Sequence, residues 1–236
     1  MAILTTHVGS LPRSEELSDL LFKKEKNEIY DEDSFNKVVK DSVFEIVKKQ
    51  KEIGIDIISD GEMSKISYAT YVKDRYNGFE GDSPRNAPSD LKKFPGFLKK
   101  LAESGGTPTY SRPCCVSEIS SKGDTELITD IKNLKDALEK YNLSKAFMNS
   151  ASPGVISLFL SNSFYKTRTG YLKAISEAME REFNLIANSG LNLQLDCPDL
   201  ALSRHMIFSK LSDKEFVKIA NENMEILNHS LRNINP

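Results

Sequence analysis

The chain has 236 residues, enough for one sizeable hydrophobic core, and a formal charge of -2 from nearly equal numbers of acidic and basic side chains. Because the two signs are interspersed, the composition argues against nucleic acid or a membrane as partner and favours a small molecule. It contains no apolar run of the ~20 residues that a membrane span needs, no secretory leader, and only three cysteines, which fit neither a disulfide framework nor a zinc finger. We therefore expect a cytoplasmic protein with a single domain over residues 1–236.

The predicted strands are short apolar segments that alternate with helices. They lie at residues 2–6, 55–58, 114–119, 146–149 and 191–195. The helices show apolar residues at three-and-four spacing, beginning near residue 14 and then at 34–53, 124–141, from 155, 171–186 and 212–231. Gly54 and Gly190 suit left-handed C-caps. A polar stretch at 77–108, which contains several prolines and glycines, predicts a loop excursion with a short helix near 91–101.

Strands separated by helices indicate parallel pairing through right-handed crossovers, in an open doubly wound sheet or a closed barrel. Two observations favour the barrel. Residues 9–12 lack the later glycines of a dinucleotide-binding turn and include a proline. Polar groups also recur at the carboxyl ends of the strands, where an eightfold barrel assembles its site. We predict an α/β fold, a TIM-type (β/α)8 barrel with about five of its eight strands present.

Four motifs, in order, resemble the catalytic barrel of cobalamin-independent methionine synthase. They are Thr5 to Arg13, Ile57 to Glu62, Ser152 to Val155 and Gln194 to Leu200. The likeness is greater to the short, single-domain relatives of methionine synthase II or epoxide-to-coenzyme M transferase type. Uroporphyrinogen decarboxylase shares this barrel type, but the sequence shows no basic cluster for a substrate with many carboxylates, so it ranks last.

The resemblance implies a reaction in methionine biosynthesis. A methyl group would pass from 5-methyltetrahydropteroyl(tri)glutamate to the thiol of homocysteine, with zinc holding that thiol as the more nucleophilic thiolate. The family's zinc ligands are a His-x-Cys pair, a glutamate and a cysteine on the sixth to eighth strands. Those strands are not in this sequence, so we assign no metal ligand and no catalytic residue within the chain.

The resemblance also implies a binding site for an amino acid. Val8, Gly9 and Ser10 match the turn whose N–H groups and hydroxyl hold the substrate carboxylate, and a glycine-containing turn at a strand end can offer such donors to an anion. Glu62 and Asp196 match the two acids that bind the substrate ammonium, which agrees with the need of a desolvated cation for nearby negative charge.

Four further residues are candidates for contacts with folate or a second substrate: Cys114, Cys115, His7 and His205. Adjacent cysteines on a strand face opposite sides, so small buried side chains are the favoured interpretation of the pair. A structural hydrogen bond is equally compatible with His7, and His205 beside Arg204 suggests anion binding.

The chain departs from the longer enzymes at three positions. Cys197 replaces a glutamate, Asp199 an alanine and Cys114 an arginine. A related thiol alkyltransferase with another acceptor is therefore an alternative. A second alternative is a non-catalytic half that self-associates or pairs with a complementary chain, because an unfinished barrel exposes a strand edge.

Overall fold

The computed structural model describes residues 3–83, 91–103 and 112–235 and shows a mixed α/β fold. In chain order, its helices and strands are α1 (Glu15–Glu25), α2 (Glu32–Glu52), α3 (Val72–Arg75), β1 (Tyr76–Glu80), α4 (Pro95–Glu103), β2 (Cys114–Ser121), α5 (Thr125–Lys140), β3 (Phe147–Ala151), α6 (Pro153–Phe159), α7 (Arg168–Asn188), β4 (Asn192–Asp196), α8 (Ser203–Met206) and α9 (Asp213–Ser230). Short 3-10 turns lie at Leu91–Lys93 and Pro198–Leu200.

Four chain segments lie side by side in parallel, and we call them the parallel array: residues 5–6, residues 57–58, β3 and β4. Thr6 bridges to Ile57, and Ile58 bridges to Ala146 at the start of β3. β3 and β4 then pair along their whole lengths, from Phe147 opposite Asn192 to Ala151 opposite Asp196. The strands predicted at 146–149 and 191–195 are therefore present, whereas those at 2–6 and 55–58 are reduced to single bridges.

The predicted third strand needs correction. Residues 114–121 do form a strand, β2, but it pairs antiparallel with β1, in a segment expected to be loop. Ile58 bridges directly to Ala146, so β2 does not lie between the second strand and β3. Only an isolated bridge from Cys115 to Asn162 is parallel. The short helix expected near 91–101 is present as the 3-10 turn and α4, while residues 84–90 and 104–111 of the predicted excursion lie outside the described residues.

The helix ends follow the capping residues of the sequence. Ser14 caps α1 by accepting the N–H of Leu17, and Asp31 caps α2, which begins two residues before the predicted start. Ser212 and Glu215 form a reciprocal capping box at the start of α9. Gly54 and Gly190 have φ angles of 81° and 85°, as the predicted left-handed C-caps require.

The hydrophobic core has two parts, and Leu193 on β4 packs against both of them. The first, packed by α1, α2 and α5, includes Leu17, Val47, Ile58, Leu134 and Met148. The second, packed by α6, α7 and β2, includes Cys115, Val155, Tyr171, Phe183 and Leu227. Within the described ranges, no helix combines the length and apolar character needed to cross a bilayer.

Candidate functional site

A cavity of about 370 Å³ lies at the carboxyl ends of the parallel array. One end of its wall carries two carboxylates and an amide, and the remainder is largely apolar. Its lining comprises Val8, Gly9, Glu62, Tyr68, Gln194, Leu195, Asp196, Cys197 and Pro198. The cavity has the size of a small-molecule site. Polar groups that follow separate strands in the sequence therefore line one space.

Glu62 is held in a constrained turn. It is 2% exposed and has a φ of 58°, in the left-handed region that residues other than glycine seldom adopt. Its N–H donates to Asp60 Oδ1 at 3.0 Å, and its carbonyl accepts a hydrogen bond from Arg13 Nη2 at 2.8 Å. Such backbone strain persists only where surrounding contacts support it, and it recurs at functional sites.

Ser10 uses its hydroxyl differently from the expectation above. Ser10 Oγ donates to Glu62 Oε2 at 2.5 Å, so its hydrogen is directed to that carboxylate and not to a substrate anion. Gly9, with a φ of 91°, lets the chain turn at this point.

Asn149, in the middle of β3, joins the two acids of the cavity. Its Nδ2 donates to Glu62 Oε1 at 2.5 Å and to Asp196 Oδ2 at 2.9 Å. Gln194 Nε2 donates to the other oxygen of Asp196 at 3.1 Å. The structure thus brings Ser10, Glu62 and Asp196 into one hydrogen-bonded group.

Two cations lie next to this group without contacting its carboxylates. Lys65 is 3% exposed and donates to the backbone carbonyl of Asn149 at 2.8 Å. Arg13 donates to the carbonyls of Glu62 and Lys65. Burial lowers the pKa of Arg13 from its ordinary value, although the carboxylates of Glu62 and Asp60 act in the opposite direction.

The remaining sequence candidates lie elsewhere. None of Cys114, Cys115, His7 and His205 belongs to the described lining of this cavity. Cys114 Sγ lies 3.0 Å from Ser163 Oγ on the exposed side of β2, and Cys115 is fully buried in the second part of the core. His7 Nε2 is buried without a hydrogen-bond partner among the described residues, and His205 lies on α8.

The thiol of Cys115 is expected to be unreactive in the folded chain. Burial raises its pKa to about 11, so both access and thiolate formation are suppressed. Titration with Ellman's reagent should count the same number of thiols in the wild type and in Cys115→Ser under native conditions. After denaturation, the wild type should gain one thiol over the variant. A difference already present in the folded proteins would contradict this assignment.

Cys197 and Asp199, two of the departures from the longer enzymes, have different surroundings. Cys197 lines the cavity, and its pKa is raised by burial and by the nearby carboxylate of Asp199. Asp199 is buried and accepts hydrogen bonds from Ser152 Oγ at 2.7 Å and Asn223 Nδ2 at 2.6 Å. Asp199 therefore connects Ser152, which follows β3, to Asn223 on α9, and its role is structural.

The zinc implied by the family resemblance was tested against these side chains. In the described ranges, no three histidine, cysteine, aspartate or glutamate side chains are grouped so that they could hold a metal ion. The residues present therefore do not fit a zinc site.

Sequence reasoning missed Asn149, Lys65 and Gln194. Asn149 ends the predicted strand at 146–149, so the same strand-end rule that selected Asp196 could have found it. Gln194 carried the weaker signal of lying two residues before Asp196 on the same strand face. No local pattern marks Lys65 as buried, because its burial depends on contacts with β3, 84 residues away.

The sequence of the chain is similar to those of known proteins. A family model described as the cobalamin-independent synthase catalytic domain matches residues 3–83. The methionine synthase of Sulfolobus acidocaldarius is 22% identical over 232 residues, which cover 98% of this chain and 58% of that protein. The 5-methyltetrahydropteroyltriglutamate–homocysteine methyltransferase of Bifidobacterium longum is 32% identical over 75 residues, or 32% of this chain and 10% of that one.

Solved structures show the same fold. A vitamin-B12-independent methionine synthase from Listeria monocytogenes superposes with a TM-score of 0.66 at 17% identity, over 99% of this chain and 63% of that one. The B12-independent methionine synthase from Shewanella sp. W3-18-1, solved in complex with selenomethionine, superposes with a TM-score of 0.63 at 16% identity. The superposition covers 87% of this chain and 51% of that one. The chain thus spans between half and two thirds of these longer relatives. The chain is thus similar to the cobalamin-independent methionine synthases, in residues 3–83 by the family model and over most of its length by the methionine synthases of Sulfolobus acidocaldarius and Saccharolobus solfataricus.

Proposed function

We propose that the chain forms the amino-acid-binding part of a methyltransferase that moves a methyl group from a methylated folate to the thiol of homocysteine. The observation that carries this proposal is the pair of carboxylates at one end of the cavity. Glu62 and Asp196 donate nothing when ionised, and both approach the same amide nitrogen. Two partly desolvated negative charges favour a cationic guest. The ammonium of an amino acid supplies that charge.

The rest of the cavity suits the remainder of such a guest. The turn at residues 8–10 offers backbone N–H groups for a carboxylate, and the apolar wall formed by Tyr68, Leu195 and Pro198 suits a thiol or thioether side chain. The selenomethionine complex of the Shewanella relative supports a ligand of this class. We accordingly assign homocysteine and methionine as the amino-acid ligands.

The proposed framework is a (β/α)8 barrel to which residues 1–236 contribute, as a single domain, the four segments of the parallel array and not the five strands expected from the sequence. The parallel array and the structural relatives support it. The proposed methyl donor, a methylated pteroylglutamate, is that of the similar methyltransferase of Bifidobacterium longum. Cys114, His7 and His205 remain candidates for donor contacts, whereas Cys115 is fully buried in the core and is no longer one; the zinc of the family is assigned to no residue of this chain.

Replacing Asp196 with alanine is expected to weaken methionine and homocysteine binding by about thirtyfold or more. Removing one partner of a desolvated charge contact commonly costs ~2 kcal/mol or more. Isothermal titration of wild type and Asp196→Ala measures this loss. Asp213→Ala is the control, because Asp213 lies at the exposed start of α9. Equal heats for wild type and Asp196→Ala would overturn the proposal.

A related thiol alkyltransferase with another acceptor is the second candidate. It is favoured by Cys197, which lines the cavity where the longer enzymes carry a glutamate. The chain would then lack one acid while keeping the ammonium-binding pair. Titration with a panel of thiols separates the two functions: a preference for a thiol other than homocysteine would favour this candidate.

A third candidate is a non-catalytic half that needs a complementary chain or a second copy. Ile3, Leu4 and Val8 are 94%, 50% and 55% exposed beside the first segment of the parallel array. Apolar side chains at a strand edge favour association. Light scattering of the purified chain tests this: self-association would support the candidate, and a stable monomer that binds methionine would count against it.

A further inference from the structure

The amide of Asn149 stands between the two acids of the cavity. It is 4% exposed, and its single Nδ2 atom is within hydrogen-bonding distance of both Glu62 Oε1 and Asp196 Oδ2. An amide NH2 group has two hydrogens, so one is available for each carboxylate. Each acid keeps lone pairs that Asn149 does not use, and both acids line the cavity.

Lys65 determines which way this amide faces. Its ammonium donates to the backbone carbonyl of Asn149 at 2.8 Å and lies 3.4 Å from the side-chain oxygen Oδ1. Lysine can only donate and an ionised carboxylate can only accept, so the amide oxygen faces Lys65 and the nitrogen faces the acids. The ring of Tyr71, 4.6 Å from Lys65 Nζ, helps to hold the buried cation.

The use of a neutral donor has a consequence for the charge of the cavity. A lysine or arginine placed directly between Glu62 and Asp196 would neutralise them and occupy the position of a cationic guest. Here Lys65 and Arg13 bond to carbonyl oxygens instead, and only an uncharged amide contacts both acids. The two carboxylates are therefore held close together while their charge remains available.

We propose that Asn149 is a positioning residue that holds Glu62 and Asp196 at the spacing required for one ammonium group, with Lys65 fixing the orientation of the amide. This inference rests on the proposed function, since it takes the guest of the cavity to be an amino acid. Asn149 acts through the two acids and is not assigned a contact with the reacting atoms.

Nuclear magnetic resonance of the ligand-free chain tests the bridge directly. Each carboxylate holds one hydrogen of the Asn149 amide, so Glu62→Gln should shift mainly one of its two Hδ2 resonances and Asp196→Asn mainly the other. Both hydrogens should exchange slowly with solvent. If neither substitution moves these resonances, or both move the same one, the bridge is excluded. This outcome is independent of ligand binding and therefore of the proposed function.

Ligand titration tests the positioning. Asn149→Leu, which removes both hydrogen bonds at similar volume, should weaken methionine binding about tenfold to hundredfold. Affinity for methylthiobutanoate, the analogue without the ammonium, should change much less. Asn184→Leu is the matched control, because Asn184 donates to a helix carbonyl of α7. Lys65→Met should lower methionine affinity in the same selective way, and it provides a second variant if Asn149→Leu fails to fold.

The outcomes separate the two proposals. Parallel losses for methionine and its desamino analogue would assign Asn149 a merely structural role and overturn the inference. If wild type binds no amino acid, the proposed function fails, and the resonance experiment still decides whether Asn149 bridges the acids. Wild-type binding with unchanged selectivity in Asn149→Leu would reject the positioning role alone.

Discussion

Replacing Arg75 with methionine is expected to destabilise the chain by about 3–5 kcal/mol, because it leaves two buried carboxylates without their cation. Arg75 on α3 is 7% exposed and binds Asp130 Oδ2 at 2.6 Å and Glu182 Oε2 at 3.0 Å. Glu182 also accepts hydrogen bonds from Tyr71 at 2.6 Å and Ser150 at 2.7 Å. Urea unfolding followed by circular dichroism measures the loss.

The control for this variant is Arg181→Met. Arg181 pairs with Asp124, but its side chain is 68% exposed, and ion pairs at the surface contribute little to stability. Its substitution should leave the unfolding midpoint almost unchanged. Equal midpoint shifts for the two variants would show that burial of the Arg75 network does not matter to stability.

The difference in free energy of unfolding between wild type and Arg75→Met should also become smaller as the pH falls from neutral towards 4. Burial acts to raise the pKa of Glu182, but Arg75, Lys65 and two hydroxyl donors hold it below its ordinary value. In the wild type, this contribution is complete above the ordinary glutamate pKa of about 4.3 and is lost as the pH falls through the lower folded value. The pKa of Asp130 is raised by burial and has the opposite effect, so the informative quantity is the difference between the two proteins. In the variant, low pH protonates the carboxylates of Asp130 and Glu182, which lack their cation. Protonation removes the free-energy cost of burying their charge.

Gly154→Ala is expected to destabilise the fold by roughly 3 kcal/mol or more, combining overpacking with the disruption of buried hydrogen bonds. A Cβ atom at this position would lie 2.0 Å from Asp199 Oδ2 and 2.7 Å from Asn223 Nδ2. Asp199 cannot move away without giving up its hydrogen bonds to Ser152 and Asn223. A change from glycine to alanine within a helix usually raises stability, so the expected effect of Gly154→Ala has the opposite sign.

Gly96→Ala supplies the matched comparison for this prediction. Gly96 also lies in a helix, α4, but an added Cβ would meet nothing within 4 Å. It should leave stability unchanged or raise it by roughly 0.5–1 kcal/mol. Thermal melts of both variants test the pair, and a melting temperature for Gly154→Ala at or above that of the wild type would reject the steric argument.

Local sequence patterns predicted the longer helices and the strands β3 and β4 well, because each depends on a periodicity and on nearby capping residues, but they missed the four-residue helices α3 and α8. Ser14, Asp31 and Gly54 are examples in which a single side chain or its absence determines a helix end. The hairpin of β1 and β2 was missed because its pairing joins Phe79 to Cys115, far apart in sequence. No local pattern in the polar segment at 76–80 indicates such a partner.

The candidate site was predicted in part. Ser10, Glu62 and Asp196 were selected because they match the substrate-binding residues of the family that the chain resembles, and the structure places them in contact with one another or with Asn149. Their role in substrate binding remains a prediction. Lys65 could not be foreseen, because the burial of a lysine depends on acceptors supplied by a distant strand.

Asn149 and Ser150 are neighbours on β3 and point to opposite faces of the strand. Asn149 donates to the two acids of the cavity, and Ser150 donates to Glu182 in the Arg75 network. We therefore expect the proposed affinity for an amino acid and the thermal stability of the chain to be linked through this one peptide unit. Laboratory evolution that selects for heat resistance around Glu182 should alter affinity for the amino acid as a by-product, and selection for tighter binding at Asn149 should change the melting temperature in turn.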